Sequence, residues 1–174
     1  MRSMPRVNHI IQHQSYEDHC RKNTQAEENR IYCRHGSDHG LTVSRIAYIF
    51  LLENLLEAGT RGSQEQTSEI DKETIYAAGL LHDIGRWVEY ETQEDHALVS
   101  ARIALPILRD CGFSSTEIET ITLGVLEHRL PPDKTSSPLG QALSLADDWA
   151  RDCKNCPSQE TCYKYSKTME EIII

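Results

Sequence analysis

At 174 residues and a net charge of -9, the chain is long enough for one filled core and short for two, so a single domain is the default. The acidic balance argues against a nucleic-acid or anionic-membrane surface, which needs clustered lysine and arginine, and leaves room for a small anionic substrate at a locally positive site. The apolar runs are too brief to span a bilayer and residues 1–6 lack a secretory stretch, so a soluble cytoplasmic protein is expected, with neither membrane nor nucleic acid as partner.

In chain order, residues 1–32 read as a polar stretch followed by a weakly amphipathic first helix within 15–32, packed on the core. A stronger helix starts near Ser37 and Asp38, both good N-caps, and runs to about Ala58, where Gly59 and a polar surface loop over 60–68 end it. The next spans 70–84, with Gly85 as its stop. Another runs from Asp95 toward Asp110, and Pro106 inside it predicts a kink or an early end because proline lacks the backbone donor. Ser114 and Glu117 form a capping box that opens a helix to about Arg129, broken by Pro131-Pro132. Ser137-Pro138 pairs an N-cap with a first-turn proline and opens a helix to about residue 152. A short helix ending in Ile172-Ile173-Ile174 is expected after Cys162. With strand-like alternation scarce, the fold class is all-α: a helical bundle of six to seven helices, with the core at 33–152 and a cysteine-rich tail at 153–174 belonging to the same domain.

Several of these apolar stripes carry an inward histidine or aspartate. His39 extends the stripe of Val43, Ile46 and Phe50; His96 precedes Val99, Ile103 and Ile107; His128 ends the stripe of Ile118, Ile121 and Val125; Asp147 lies between Leu143 and Ala150. The adjacent His82-Asp83 closes a segment that is apolar nearly all round. A single inward histidine is more often a satisfied core residue than a ligand. An ionised carboxylate in such a segment, however, needs a counter-charge or a metal. Imidazoles and carboxylates together suit Fe, Mn, Zn or Ni. Adjacent residues project about 100° apart on a helix, so Asp83 is placed to bridge two ions while His82 binds one.

His39, His82-Asp83 and Asp147, with the string His82-Asp83-Ile84-Gly85-Arg86, resemble the metal ligands of the HD superfamily of metal-dependent phosphohydrolases over residues 33 to about 150. His96 and His128 are similar in order to the extra ligands of its dinuclear branches, notably the bacterial dinucleoside tetraphosphatases. The resemblance implies two divalent ions on His39, His82, Asp83, His96, His128 and Asp147. It also implies hydrolysis of a phosphoester or phosphoanhydride of a nucleotide-like substrate by metal-activated hydroxide. Asp83, Arg86 and Arg129 are the expected catalytic residues, the arginines offsetting charge on the transferred phosphoryl group.

Cys153, Cys156 and Cys162 form a Cys-x2-Cys-x5-Cys thiolate cluster. Cys33 precedes His39 by the same interval at which Cys153 follows Asp147, so two readings stand: Cys33, or alternatively His35, completes a zinc or iron–sulfur site as fourth ligand, or the cysteines are ordinary reduced thiols on the tail. Two other functions fit the same residues: an HD-type diiron oxygenase, and a non-catalytic nucleotide or redox sensor.

Overall fold

The computed structural model describes residues 3–60 and 70–166, with residues 58–60 described by backbone alone. The described residues form eight α-helices and no strand: α1 Pro5–Ile11, α2 Gln14–Ala26, α3 Ser37–Thr60, α4 Lys72–Leu81, α5 Arg86–Thr92, α6 His96–Asp110, α7 Ser115–Glu127 and α8 Pro138–Trp149. This is the all-helical bundle expected, with the short α1 and α5 as additional pieces. The expected loop beyond Thr60 and the end of the expected C-terminal helix lie outside the described residues, and Tyr163–Ser166 are not helical.

Local chemistry sets most helix starts. Asp71 accepts a hydrogen bond from Glu73 N, Asp95 from Ala97 N and Ser137 from Gly140 N, while Ser114 and Glu117 form a reciprocal capping box. The early end expected at Pro106 does not occur, since α6 continues to Asp110. Pro106 and Arg102, whose carbonyl loses its partner, both sit on the exposed face, where water replaces the missing donor.

Helix α4 is the central element, buried at every position from Thr74 to Leu81. It packs on α3 and α7, and α8 closes the layer against both. The α3–α4 crossing is unusually tight. A Cβ placed on Gly79 would lie 2.7 Å from Ser44 Cα, and the Ser44 hydroxyl donates to the Gly40 and Tyr76 carbonyls at 2.7 and 3.1 Å. That approach brings the start of α3 beside the end of α4, so the His39 and His82 rings sit 5.4 Å apart.

Arg6 on α1 ties the starts of α4 and α7 together, binding Asp71, Glu73 and Glu117 at 2.7 Å each. Burial opposes ionisation of Glu117, but Arg6 and the hydrogen bonds from Ser114 outweigh it and hold the carboxyl down at about 2.

Two outcomes are expected. Gly79→Val forces α3 and α4 apart and lowers stability by about 1–3 kcal/mol, read from the urea midpoint. The Glu117 carboxyl titrates below its unfolded value of about 4.3, so its contribution is complete above that pH and is lost as pH falls through the folded value of about 2. Arg6→Gln therefore lowers the midpoint most above about pH 5, and the gap from the wild type narrows toward about pH 2.

Candidate metal centre

Six side chains from five helix ends and one turn meet at one end of the bundle. His39 lies in the first turn of α3 and Asp147 in the last turn of α8, His96 opens α6, and His82 and His128 are the C-caps of α4 and α7. Asp83 follows His82 in the turn joining α4 to α5. That turn is held from two sides. Buried Asn23 on α2 donates to the Asp83 carbonyl at 2.9 Å and accepts from Trp87 N at 2.8 Å, and Ser100 on α6 accepts from Gly85 N at 2.9 Å. A Cβ on Gly85 would lie 2.8 Å from Ser100 N, so this approach requires glycine.

The donor atoms form two groups that share Asp83. His39, His82, Asp83 and Asp147 offer ligand atoms all within 4.8 Å of one another, and so do Asp83, His96 and His128. Asp83 Oδ2 faces His82 Nε2 at 3.3 Å, while Oδ1 faces His96 Nε2 at 2.9 Å and His128 Nε2 at 3.6 Å. His39 Nε2 and Asp147 Oδ1 are 3.0 Å apart. One carboxylate oxygen thus points at each group.

The Nδ1 atoms of His82, His96 and His128 are already committed. His82 Nδ1 donates to the Gly79 carbonyl and His128 Nδ1 to the Val125 carbonyl, both at 2.7 Å, and His96 Nδ1 contacts the Glu89 carboxylate. With Nδ1 carrying the proton, each neutral ring presents the Nε2 lone pair to the centre. His96 and His128 bring these nitrogens within 3.2 Å of each other. Among the described residues, His82 Nε2 and Asp83 Oδ1 are sealed from solvent without a hydrogen-bond partner, the 2.9 Å approach of His96 to Oδ1 being misdirected for one. Buried lone pairs converging without donors are what a divalent cation satisfies, so the donor set fits one.

Electrostatics agree with a charged carboxylate. Burial opposes ionisation of Asp83, but His82, His128 and His96 outweigh it and keep its carboxyl well below the usual range. Burial also opposes ionisation of Asp147, which His39 and Arg151 hold down in the same way. Burial pushes His128 down, keeping the imidazole neutral, while His82 is drawn up against burial by Asp83.

Both arginines expected at the site lie near it, in different roles. Arg86 Nη1 is 3.0 Å from His96 Nε2 and 3.6 Å from Asp83 Oδ1. Arg129 binds Glu89 at 3.1 Å and Asp95 at 2.8 Å, one step removed from Asp83. Asp148 is half exposed and pairs with Arg151, whereas Asp147 is the one that reaches the centre. His35 is buried behind it: Glu27 accepts from its backbone N and contacts its Nδ1, and its Nε2 lies 3.9 Å from Asp83 Oδ2. Its ring nitrogens thus face Glu27 and Asp83, while the residue also lines the cleft that holds the thiols.

Beside the centre a cleft is lined by Cys33, Cys153, Cys156 and Cys162, with Arg30, Arg86, Arg151 and Lys164 and no aspartate or glutamate among its lining residues. His35 and Arg86 form its boundary with the metal centre.

The sequence reading missed Asn23, Ser100 and Glu89. Glu89 sits on α5, which has no buried residue and so no apolar stripe to announce it. Asn23 is a lone buried polar residue on a weakly patterned helix, a signal visible only once burial is known.

A model of the HD domain matches residues 36–152. An uncharacterized protein of Clostridium beijerinckii is 34% identical over 159 residues, covering 91% of this chain and 92% of that protein. The bifunctional uridylyltransferase/uridylyl-removing enzyme of Ruegeria pomeroyi is 31% identical over 94 residues, which are 53% of this chain and 10% of that enzyme. No solved structure matches.

Divalent metal at about 100 times its dissociation constant stabilises a folded protein by about 2.7 kcal/mol, so Mn2+ or Fe2+ is expected to raise the melting temperature of the wild type by several degrees. Asp83→Asn removes the charge common to both ligand groups and is expected to abolish most of that rise, as differential scanning fluorimetry would show.

Proposed function

The chain belongs to the HD domain family, and from that premise we propose that it is a metal-dependent phosphohydrolase acting on a phosphoester or phosphoanhydride of a nucleotide-like substrate through two ions. The observation carrying this reading is the Asp83 carboxylate, with one oxygen turned to each of two ligand groups. The match to an enzyme named for uridylyl removal supports a nucleotide-type substrate.

His39, His82, Asp83 and Asp147 hold one ion in this reading, and Asp83, His96 and His128 the other. Divalent ions bound there supply a water of lowered pKa and neutralisation of charge on a phosphoryl oxygen. The chain's own residues do the rest. Arg86 stays protonated, since Asp83 and Tyr90 raise its pKa against the burial that lowers it, and its guanidinium faces the shared carboxylate where phosphoryl charge develops. Arg151 binds Asp147 Oδ2 at 2.5 Å and leaves Oδ1 turned toward His39. Arg129, occupied by Glu89 and Asp95, acts as a positioning residue that holds Glu89 against His96.

The test is a screen of mononucleotides, dinucleoside polyphosphates and cyclic dinucleotides with anaerobically purified protein and added divalent metal. Metal-dependent release of phosphate or nucleotide is expected. Arg86→Ala lowers kcat by about 10²–10³-fold, the scale for losing one preorganised charge-stabilising group. His128→Ala removes about one ion of bound metal per chain while the first group retains its own. Oxygen uptake with no phosphate release from any of these substrates would overturn the proposal.

A further inference from the structure

The cysteines stand apart from this chemistry. Cys33 precedes α3, whereas Cys153, Cys156 and Cys162 belong to the segment after α8, yet all four line the same cleft. The two segments are stapled together beside it: Ser158 Oγ donates to the Ile31 carbonyl at 2.6 Å and Tyr32 Oη to the Thr161 carbonyl at 3.2 Å. Within the tail, Cys156 N donates to the Cys153 carbonyl at 3.3 Å, and Gln159 Nε2 to the same carbonyl at 3.0 Å. These bonds hold the tail beside residues 31–32, with all four cysteines on the cleft wall. The thiols sense one another, because burial pushes the Cys153 thiol up and Cys33, Cys156 and Cys162 add to the effect. All four are free thiols.

We propose that Cys33, Cys153, Cys156 and Cys162, as thiolates, bind an iron–sulfur cluster that clamps the C-terminal segment onto residues 30–33 beside the metal centre. Four thiolates with no histidine or carboxylate among them are a soft donor set suited to zinc or iron–sulfur clusters. The spacing separates the two. A single zinc ion with bonds of about 2.3 Å draws four sulfurs to within about 3.8 Å of each other, whereas a four-iron cluster, with one thiolate on each iron, sets them roughly 6 Å apart. Among the described residues, the groups of three or more candidate ligands within 4.8 Å of one another are the two at the HD centre, and no cysteine is in either. No three of the four sulfurs lie within 4.8 Å of one another, wider than a single zinc ion would hold them, which favours the larger occupant. The surroundings fit its charge as well: a cluster with four thiolate ligands is anionic, and Arg30, Arg151 and Lys164 line the cleft with no carboxylate among its lining residues. Arg151, whose side chain is 6% exposed, meets the thiols on one side and Asp147 on the other.

The inference is independent of the reaction at the HD centre, and acid-labile sulfide separates the two because histidine and aspartate ligands contribute none. Full-length protein purified anaerobically is expected to contain iron and acid-labile sulfide, with a broad visible absorption that dithionite bleaches. Cys33→Ser and Cys156→Ser are each expected to lose most of the sulfide. Cys20→Ser, on α2 outside the cleft, retains it, as does His82→Ala, which disables the HD centre instead. Absence of sulfide from the wild type, zinc in place of iron at the thiols, or full sulfide in Cys33→Ser would each overturn the proposal. The wild-type measurement decides even where a serine variant fails to fold.

Discussion

Everything at the functional end of this bundle is arranged around one buried negative charge. Moving a carboxylate out of water costs several kcal/mol even after relaxation, and Asp83 is 6% exposed in the turn after the most buried helix of the fold. What offsets that cost comes from separate elements: His82 beside it, Arg86 from α5, His96 from α6 and His128 from α7. Each of those groups sits correctly only if its helix ends at the right height. The tight α3–α4 crossing at Gly79 and the approach of α6 at Gly85 are therefore conditions for the site as much as features of the core.

The ligands cluster at helix ends for a reason that lies in the backbone. The last four carbonyls of a helix have no intrahelical partner. His82 and His128 each cap their helix and donate Nδ1–H to the carbonyl three residues back, Gly79 and Val125, with the same 2.7 Å bond. One contact satisfies an orphan carbonyl, fixes the tautomer and aims the Nε2 lone pair inward. A histidine in the middle of a helix would find those carbonyls already bonded. The same device, used twice, gives each of the two ligand groups one imidazole oriented by its own helix.

Much of this was legible in the sequence, because His39, His82, Asp83, His96, His128 and Asp147 all terminate apolar stripes, and stripes report which face is buried. The structure brings all six together. The pattern could not show that His82 and Asp83 lie beyond the end of α4, since the last turn of a helix and the turn after it share one apolar run. Helix α5 and Glu89 were illegible because the helix buries no residue and is set by tertiary contacts, including Trp87 N to Asn23 and Tyr90 Oη to Glu27. Arg129 read as a substrate contact from its place beside His128, but adjacent residues point in different directions, and its guanidinium turns to Glu89 and Asp95 instead.

Net charge misleads about the local field for a related reason. The chain carries -9 overall, yet its carboxylates near the site are spoken for: Glu27 by His35 and Tyr90, Glu89 by Arg129 and His96, Asp147 by His39 and Arg151. The cleft wall is left with cations and thiols. Exposed charges farther than a Debye length, about 8 Å at physiological ionic strength, are largely screened, so an anionic group held in the cleft experiences this wall rather than the sum over the surface. Because Arg151 serves Asp147 and the thiol wall at once, the charge carried by the cysteines sets how much of that guanidinium's field is left for Asp147.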